Sequence, residues 1–164
     1  MKQKSAAAKS APAKSESVSP LEAHLGYWLR FVSNQVSHSF ALKVADHDVS
    51  VAEWVVLREL FECEAMAPSA LAERIGMTRG AISKLADRLS AKALATRTAS
   101  DEDRRYQALA LTAKGRALVP KLAALADRND AEFFGHLTAA EQETIKAAMR
   151  VIVDRHGLKS VPVE

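Results

Sequence analysis

The chain has 164 residues, a formal net charge of +3, 48% apolar residues and one cysteine, Cys63. This length suffices for one domain with its own core, and no apolar run approaches the roughly 18 residues that a membrane span needs. A lone cysteine excludes an internal disulfide, and the N-terminus lacks the apolar segment of a secretory signal, so we expect a cytoplasmic protein.

Residues 1–19 are rich in Lys, Ala, Ser and Pro, which is typical of a disordered segment. This basic tail either adds sequence-independent DNA affinity or only solvates the chain. We expect a single domain over residues 20–164. Within it, segment 71–116 has ten Lys and Arg residues against five acidic ones, whereas segment 20–70 has three against seven. Such clustered positive charge is typical of nucleic-acid binders.

The first elements in chain order are two helices. Apolar residues recur at three- and four-residue steps after Pro20 and predict a first helix that runs to about Val44. Ser50, with Glu53 three residues later, has the pattern of a capping box. This pattern predicts a second helix that ends near Phe61.

Residues 68–87 predict two short helices that cross tightly. Gly76 lies between them, where the turn needs a positive φ that only glycine adopts cheaply. The residues expected on the facing sides are Leu71, Ala72, Ile75, Ile82, Leu85 and Leu89. This spacing indicates a helix-turn-helix, whose second helix can lie in the DNA major groove.

The outward side of the second helix carries the groups that DNA recognition needs. Thr78 has the N-cap position, Arg79, Ser83 and Lys84 are donors near the helix N-terminus, and Gly80 allows a close backbone approach. The predicted contacts to the major groove and its phosphates are Thr78, Arg79, Gly80, Ser83, Lys84 and Arg88. The alternative is an amphipathic surface helix with a solvated charged face.

Two alternating segments, 94–98 and 106–111, predict a β-hairpin around a polar turn. A hairpin directly after a recognition helix is a wing. Its predicted DNA contacts are Arg97, Arg104 and Arg105, with Asp103 placed to hold the Arg105 guanidinium. An arginine on a narrow ribbon suits the minor groove, whereas the alternative is a solvated turn with a weak local ion pair.

These motifs resemble the MarR-type winged helix-turn-helix regulators over about residues 20–155. The resemblance is carried by Ser69–Leu89, Ala91–Leu94, Asp101–Arg105 and Leu109–Gly115. It implies a dimeric transcription regulator, usually a repressor that small aromatic ligands or oxidation release from DNA. The family often has glycine where this chain has Ala93, so we expect a slightly different entry into the first strand.

Thr112 is expected to cap a further helix, in which Pro120 should cause a kink unless it lies in the first turns. Thr138 and Glu141 have the pattern of a second capping box. The first and last helices carry more apolar surface than the winged helix-turn-helix (about 48–112, here called the reading unit) can cover. A homodimer is therefore favoured over a monomeric all-α bundle. The expected fold is mainly α with a small β-hairpin wing: a winged helix-turn-helix over about 48–112 and dimerisation helices over about 20–45 and 113–156.

Aromatic residues concentrate on the first two helices. In similar proteins the effector pocket lies between the dimer helices and the reading unit. The candidates for a pocket that takes a small aromatic acid are therefore Tyr27, Arg30, Phe31, His38 and Trp54. The alternative is that these side chains belong to the core and the dimer interface.

Other chemistry finds little support. The histidines lack the four-residue helical spacing of a metal clip, and no nucleophile elbow, phosphate loop or paired-carboxylate pattern is present, so we expect neither a metal, a cofactor nor an enzyme. The sequence favours a sequence-specific, ligand-responsive repressor that binds a pseudo-palindromic operator as a homodimer. The alternatives are a non-specific architectural DNA-binding protein without effector response, and an interaction module in which the helix pair only packs.

Overall fold

The computed structural model describes residues 18–99 and 107–159, and these residues form six α-helices and one two-stranded antiparallel hairpin. The predicted fold class, mainly α with a small β-hairpin wing, is confirmed. Residues 1–17 and 100–106 lie outside the described residues, and they include most of the predicted tail and most of the predicted turn. In these described ranges no helix is both long and apolar enough to span a membrane.

The N-terminal region contains a 3₁₀ turn, Leu21–Ala23, followed by α1, Leu25–Ala45. The prediction of one continuous helix is therefore wrong at its beginning. His24 interrupts it, because its backbone is extended, with φ −97° and ψ 122°. The indole Nε1 of Trp28 donates to the carbonyl of Glu22 at 3.0 Å, which holds the turn against α1.

Helix α2, Val51–Phe61, begins at the predicted capping box. The Ser50 hydroxyl accepts the Glu53 amide at 3.2 Å, and the Glu53 carboxylate accepts the Ser50 amide at 2.8 Å. Two otherwise unpaired amides of the first turn are thereby satisfied. The chain enters this cap through Asp48, whose φ of 54° is left-handed.

Helices α3, Pro68–Ile75, and α4, Arg79–Ala91, form the predicted helix-turn-helix. Gly76 has a φ of 68° and ends α3. Thr78 caps α4, since its hydroxyl accepts the Ala81 amide at 3.2 Å. The side of α4 that faces the core is buried, as the spacing predicted, at Ile82, Leu85 and Leu89.

The hairpin pairs β1, Ala95–Ala99, with β2, Gln107–Leu111, and places Arg97 opposite Leu109. Strand β1 begins one residue later than predicted. Met66 also pairs with Leu109, through hydrogen bonds of 2.9 and 2.8 Å in the two directions. No pattern in the sequence indicates this bridge, which joins the hairpin to the segment before α3.

The turn between α4 and β1 contains a strained residue. Ala93 has a φ of 55°, the left-handed conformation that an L residue with a Cβ adopts at a cost of about 1–2 kcal/mol. The amide of Leu94 donates to the carbonyl of Leu89 at 2.9 Å and closes the turn. Residue 93 thus keeps a glycine-like backbone without being glycine, and the expected difference at the strand entry stays a prediction.

Helix α5, Ala113–Phe134, begins at the predicted cap, where the Thr112 hydroxyl accepts the Gly115 amide at 3.0 Å. The helix continues through Pro120 as one element. Gly115 lies against the preceding turn so closely that a Cβ would sit 2.0 Å from the carbonyl oxygen of Leu94. Only glycine therefore fits at this crossing.

The core lies where α2, the helix-turn-helix, β2 and α5 meet. Its largest fully buried apolar side chains are Leu57, Leu60, Leu71, Ile82, Leu89, Leu109 and Leu122. Each of these elements contributes at least one of the side chains, so the reading unit is held by one shared core.

Helix α6, Ala139–His156, begins at the predicted capping box of Thr138 and Glu141 but contains no buried residue. The first turns of α1 are exposed as well. The large apolar side chains left open on these two segments include Leu25, Trp28, Phe31, Ile145, Met149 and Ile152. A single protomer therefore leaves both terminal helices without a covering layer.

The strained turn gives a stability prediction. We expect Ala93→Gly to raise the free energy of unfolding by about 0.5–1 kcal/mol, because glycine removes the Cβ strain but adds entropy to the unfolded chain. Urea unfolding at one fixed protomer concentration measures it.

The matched control is Ala124→Gly at an exposed position inside α5, which should lower stability by about 1 kcal/mol. If both substitutions destabilise equally, the left-handed conformation at residue 93 is not a source of strain.

Candidate nucleic-acid interface

The N-terminal half of α4 presents an exposed polar side. Arg79, Gly80, Ser83 and Lys84 are all exposed, and the buried stripe of α4 lies on its other side. Among the described residues, the side chains of Arg79 and Lys84 have neither a hydrogen bond nor an ion pair. A Cβ built on Gly80 would meet nothing within 4 Å. The predicted donors therefore share one open surface, at the helix end that reaches base edges in this class of motif.

The hairpin is tied to α4 by a charge pair. The Arg97 guanidinium donates to the Asp87 carboxylate at 2.6 Å. Arg97 was predicted as a DNA contact, and the structure gives its guanidinium a partner on the recognition helix. This bond fixes the orientation of β1 relative to α4.

The C-terminal end of α4 is anchored at a buried carboxylate, Glu53 of α2. The Lys92 ammonium lies 3.0 Å from Glu53 Oε2 and donates to the carbonyl of Asp48 at 2.6 Å. Arg88 Nε lies 3.6 Å from Glu53 Oε1, which is itself buried without a hydrogen bond. Arg88 was predicted to meet a phosphate. Its side chain is 58% exposed but lies beside this carboxylate, farther along α4 than the open donors.

The environment of Glu53 keeps its carboxylate charged. Burial by itself raises the pKa of Glu53. The hydrogen bonds donated by the Ser50 amide and by Lys92, together with the positive charge of Lys92, outweigh burial and hold the pKa below its usual range. The carboxylate thus caps α2 and also balances the positive charges of Arg88 and Lys92 at the end of α4.

A second set of bonds connects this region to α5. The Thr112 hydroxyl donates to the carbonyl of Ala93 at 2.7 Å, and the Lys114 ammonium donates to the carbonyl of Lys92 at 2.9 Å. The strained turn after α4 is therefore held from both sides, by α2 through Glu53 and by the start of α5.

The predicted wing contacts Asp103, Arg104 and Arg105 lie outside the described residues. Within residues 18–99 and 107–159, no group of three His, Cys, Asp or Glu side chains is placed to hold a metal ion.

Comparison with known proteins finds similarity to one family over part of the chain. A sequence profile of the MarR family matches residues 47–105, which contain α2, the helix-turn-helix and β1. An HTH-type transcriptional repressor from Mycobacterium bovis is 28% identical over 125 residues, or 76% of this chain and 90% of the relative.

The fold agrees with two solved structures. A mutant of MarR from Escherichia coli complexed with operator DNA has a TM-score of 0.73 and 22% identity, covering 79% of this chain and 93% of the other. BpsR from Bordetella bronchiseptica, whose DNA binding is described as regulated by 6-hydroxynicotinic acid, has a TM-score of 0.76 and 25% identity, covering 84% of this chain and 99% of the other.

The chain is therefore similar to MarR-type winged helix-turn-helix proteins, in sequence over residues 47–105 and in fold over most of its length. The relatives are transcriptional regulators, and a DNA-binding role agrees with the open donor surface on α4.

The residues predicted for an effector pocket fall into separate groups in the structure. Tyr27 and Phe31 lie together on α1, with ring centroids 6.2 Å apart. Trp54 instead contacts Phe40, also at 6.2 Å, beside the core. The remaining candidates, Arg30 and His38, are exposed on α1. Among the described contacts, none joins the Tyr27 group to Trp54, so the pocket stays a prediction.

Sequence reasoning missed the link between Glu53 and Lys92. Glu53 was recognised only as part of a capping box, and Lys92 only as part of a motif. A signal was available, because Glu53 lies among apolar neighbours that the helix pattern assigns to the core. A carboxylate buried there needs a cation beside it.

Glu53 yields a prediction about pH. Because its folded-state pKa is lowered, its contribution to stability is present above the unfolded pKa of about 4.3 and is lost as the pH falls through the folded pKa. Glu53→Gln keeps a capping side chain but removes the charge. At pH 7 we expect this variant to be less stable by about 2 kcal/mol, a difference that shrinks below about pH 4.

Urea unfolding of wild type and variant across pH 3–8 measures this difference. The control is Glu62→Gln, an exposed carboxylate paired with Arg58 on the surface, which should change stability by less than about 0.5 kcal/mol. A Glu53→Gln penalty that stays constant with pH would contradict the ion pair.

Proposed function

We propose that this protein is a sequence-specific repressor that binds a pseudo-palindromic operator as a homodimer, acts in the cytoplasm and responds to a small ligand. The observation that carries the proposal is the open donor side of α4, presented by a helix pair whose opposite side is fully packed. A recognition helix needs this combination of fixed backbone and free side chains. The similarity to a repressor from Mycobacterium bovis supports repression, and the similarity to the MarR complex supports an operator.

The proposed contacts divide by role. Arg79, Ser83 and Lys84 read base edges in the major groove, while Gly80 leaves room for the approach of the duplex. Thr78 and Arg88 meet phosphates, with Arg88 released from its position beside Glu53. Arg104 and Arg105 of the wing enter the minor groove, with Asp103 holding Arg105. Arg97 positions the wing through Asp87 rather than reading a base.

The exposed apolar sides of α1 and α6 support the homodimer. A second copy related by a two-fold axis would cover both, and the same axis would place two recognition helices about 34 Å apart, one turn of DNA. The proposed effector pocket, with Tyr27, Arg30, Phe31, His38 and Trp54 as candidates, would lie between the dimer helices and the reading unit. The regulation of BpsR by 6-hydroxynicotinic acid supports a ligand response.

Selection of bound duplexes from a random pool tests the specificity. We expect a recurring inverted repeat, and we expect Lys84→Ala to change the preferred bases at symmetric positions, because a good base contact contributes about 1–3 kcal/mol of discrimination.

Lys159→Ala, which also removes one exposed positive charge but lies beyond α6, should keep the wild-type preference. Equal affinity for random and selected duplexes at one salt concentration would favour the alternative, a non-specific architectural protein without effector response.

The dimer is tested on α6. Ile152→Glu places a charge on the exposed apolar side, so we expect sedimentation to show monomers while circular dichroism keeps its helical signal. Ala147→Glu adds the same charge on the opposite side of α6, near Glu143 and Arg150, and should leave the dimer intact. A dimer that survives Ile152→Glu, or a monomeric wild type, would refute this interface.

A further inference from the structure

Four polar side chains meet where α1 packs against α5. Ser39 and Lys43 lie on α1, and Asn129 and Glu132 lie on α5; together they are called the polar cluster. Asn129 is only 3% exposed, and in the part of the chain that is described Glu53 is the other buried polar residue. A buried amide lowers stability unless its donor and its acceptor are both paired, so its place in this interface needs a reason.

The bonds of the polar cluster join the two helices at several points. The Lys43 ammonium donates to the Ser39 hydroxyl at 2.8 Å and to Asn129 Oδ1 at 3.0 Å. It also donates to the Glu132 carboxylate at 2.7 Å, so each of its three protons has an acceptor. The side-chain amide of Asn129 in turn donates to the carbonyl of Val36 at 3.2 Å. Asn129 is thus bonded to α1 both through a backbone carbonyl and through a side chain two turns away.

The polar cluster takes a place that the helix pattern assigns to apolar residues. On α5, Leu122 and Leu125 precede Asn129 at steps of three and four residues, which is the spacing of a core-facing stripe. Asn129 is the last buried residue of α5, and Phe40 and Val44 are the buried residues of α1. The polar cluster therefore closes the edge of the core between the two helices.

Apolar packing alone defines the register of two helices weakly, because burial of apolar surface has no preferred direction. A slide by one helical turn moves one helix about 5.4 Å past the other. The hydrogen bonds of the polar cluster break in such a slide, since they do not reach beyond roughly 3.5 Å. The amide of Asn129 would then be buried without its partners, which costs free energy that an apolar residue would not lose. A single buried asparagine fixes the register of coiled coils in this way.

The register of α1 on α5 affects both terminal helices. Helix α5 begins in the reading unit, where Gly115 lies against Leu94, and leads on to α6. Helix α1 enters the reading unit separately, through the left-handed Asp48. The exposed apolar sides proposed for the dimer lie on the first turns of α1 and on α6. A slide of α1 along α5 would change how these two sides line up, and with them the distance between the two reading units of a dimer.

We propose that the polar cluster, through Lys43 and Asn129, holds α1 in one register on α5 and so sets the half-site spacing that the dimer accepts. Lys43 and Asn129 are positioning residues, since neither belongs to the predicted DNA contacts. The effect on half-site spacing rests on the proposed homodimer and its operator, whereas the register itself does not.

The register is tested without DNA by the distance between two spin labels in one protomer. The labels are placed at the exposed positions Ser37 of α1 and Ala131 of α5, in a Cys63→Ala background that removes the native thiol. Labelled protein is exchanged with an excess of unlabelled protein, so that distances between protomers do not contribute. The variants are the apolar pair, Lys43→Met with Asn129→Leu, which keeps similar side-chain volumes, and the milder Lys43→Gln.

We expect one narrow distance when the polar cluster is intact and a broader or two-peaked distribution, displaced by about 5 Å, in the apolar pair. Circular dichroism should show that the apolar pair is folded, since apolar groups of similar size often replace a buried polar cluster without loss of stability. Lys43→Gln keeps one donor for Asn129 and should broaden the distribution less. If the apolar pair does not fold, Lys43→Gln decides by the same measurement. An unchanged distribution in every folded variant would overturn the proposal.

Half-site spacing is tested with duplexes that carry the selected half-site twice, in inverted orientation, at separations that differ by single base pairs. Each added base pair moves and rotates the second half-site, so we expect wild type to bind the best separation about tenfold more tightly than its neighbours. The apolar pair should bind these separations within about threefold of one another. The matched control is Lys121→Met, which removes the same charge from an exposed position on α5 and should keep the wild-type preference.

These measurements separate the register from its consequence for DNA. A loosened register with an unchanged preference for one separation would refute the link to half-site spacing. A preference lost equally in Lys121→Met would trace the effect to charge and refute the same link. A wild type that selects no paired half-sites would refute the proposed function, and the label distances would still decide whether the polar cluster holds the register.

Discussion

The ion pair between Glu53 and Lys92 is the constraint on which the position of the recognition helix depends. A buried carboxylate is stable only when cations and donors surround it, so the first turn of α2 and the last turn of α4 must meet. The same ammonium group reaches the α1–α2 loop through Asp48, and the carbonyl of Lys92 accepts Lys114 from α5. The buried stripe of α4 sets the depth of this helix against the core, and the charged bonds fix its end.

This anchoring explains a division within α4. At its N-terminal half the polar side chains are open, and at its C-terminal half the charged ones are paired, with Arg88 beside Glu53 and Asp87 bonded to Arg97. Free donors and fixed ones thus occupy different turns of one helix. The half that is proposed to read base edges can do so without breaking internal bonds. Of the paired side chains in the other half, only Arg88 is proposed to leave its position, in order to meet a phosphate.

Local signals were sufficient to predict most elements, and distance along the chain explains what they missed. Both capping boxes, the Thr78 cap and the left-handed Gly76 depend on residues within four positions of each other, so the sequence displays them directly. The break at His24 falls on a residue that is itself neither glycine nor proline. The bond between Glu53 and Lys92 joins residues 39 positions apart, and the bridge from Met66 to Leu109 joins backbone groups whose side chains carry no pattern. The contacts of the wing tip stay predictions, and so does the effector pocket with its candidates on α1 and α2.

The bridge between Met66 and Leu109 has a mechanical consequence. A two-stranded ribbon by itself is marginally stable in water, but here β2 is flanked by β1 on one side and by the residue that leads into α3 on the other. A pull or twist applied to the outer end of the hairpin is therefore transmitted through two backbone hydrogen bonds to the segment just ahead of α3. A displacement of the ribbon would therefore act, through these two bonds, on α3, the helix that packs against α4.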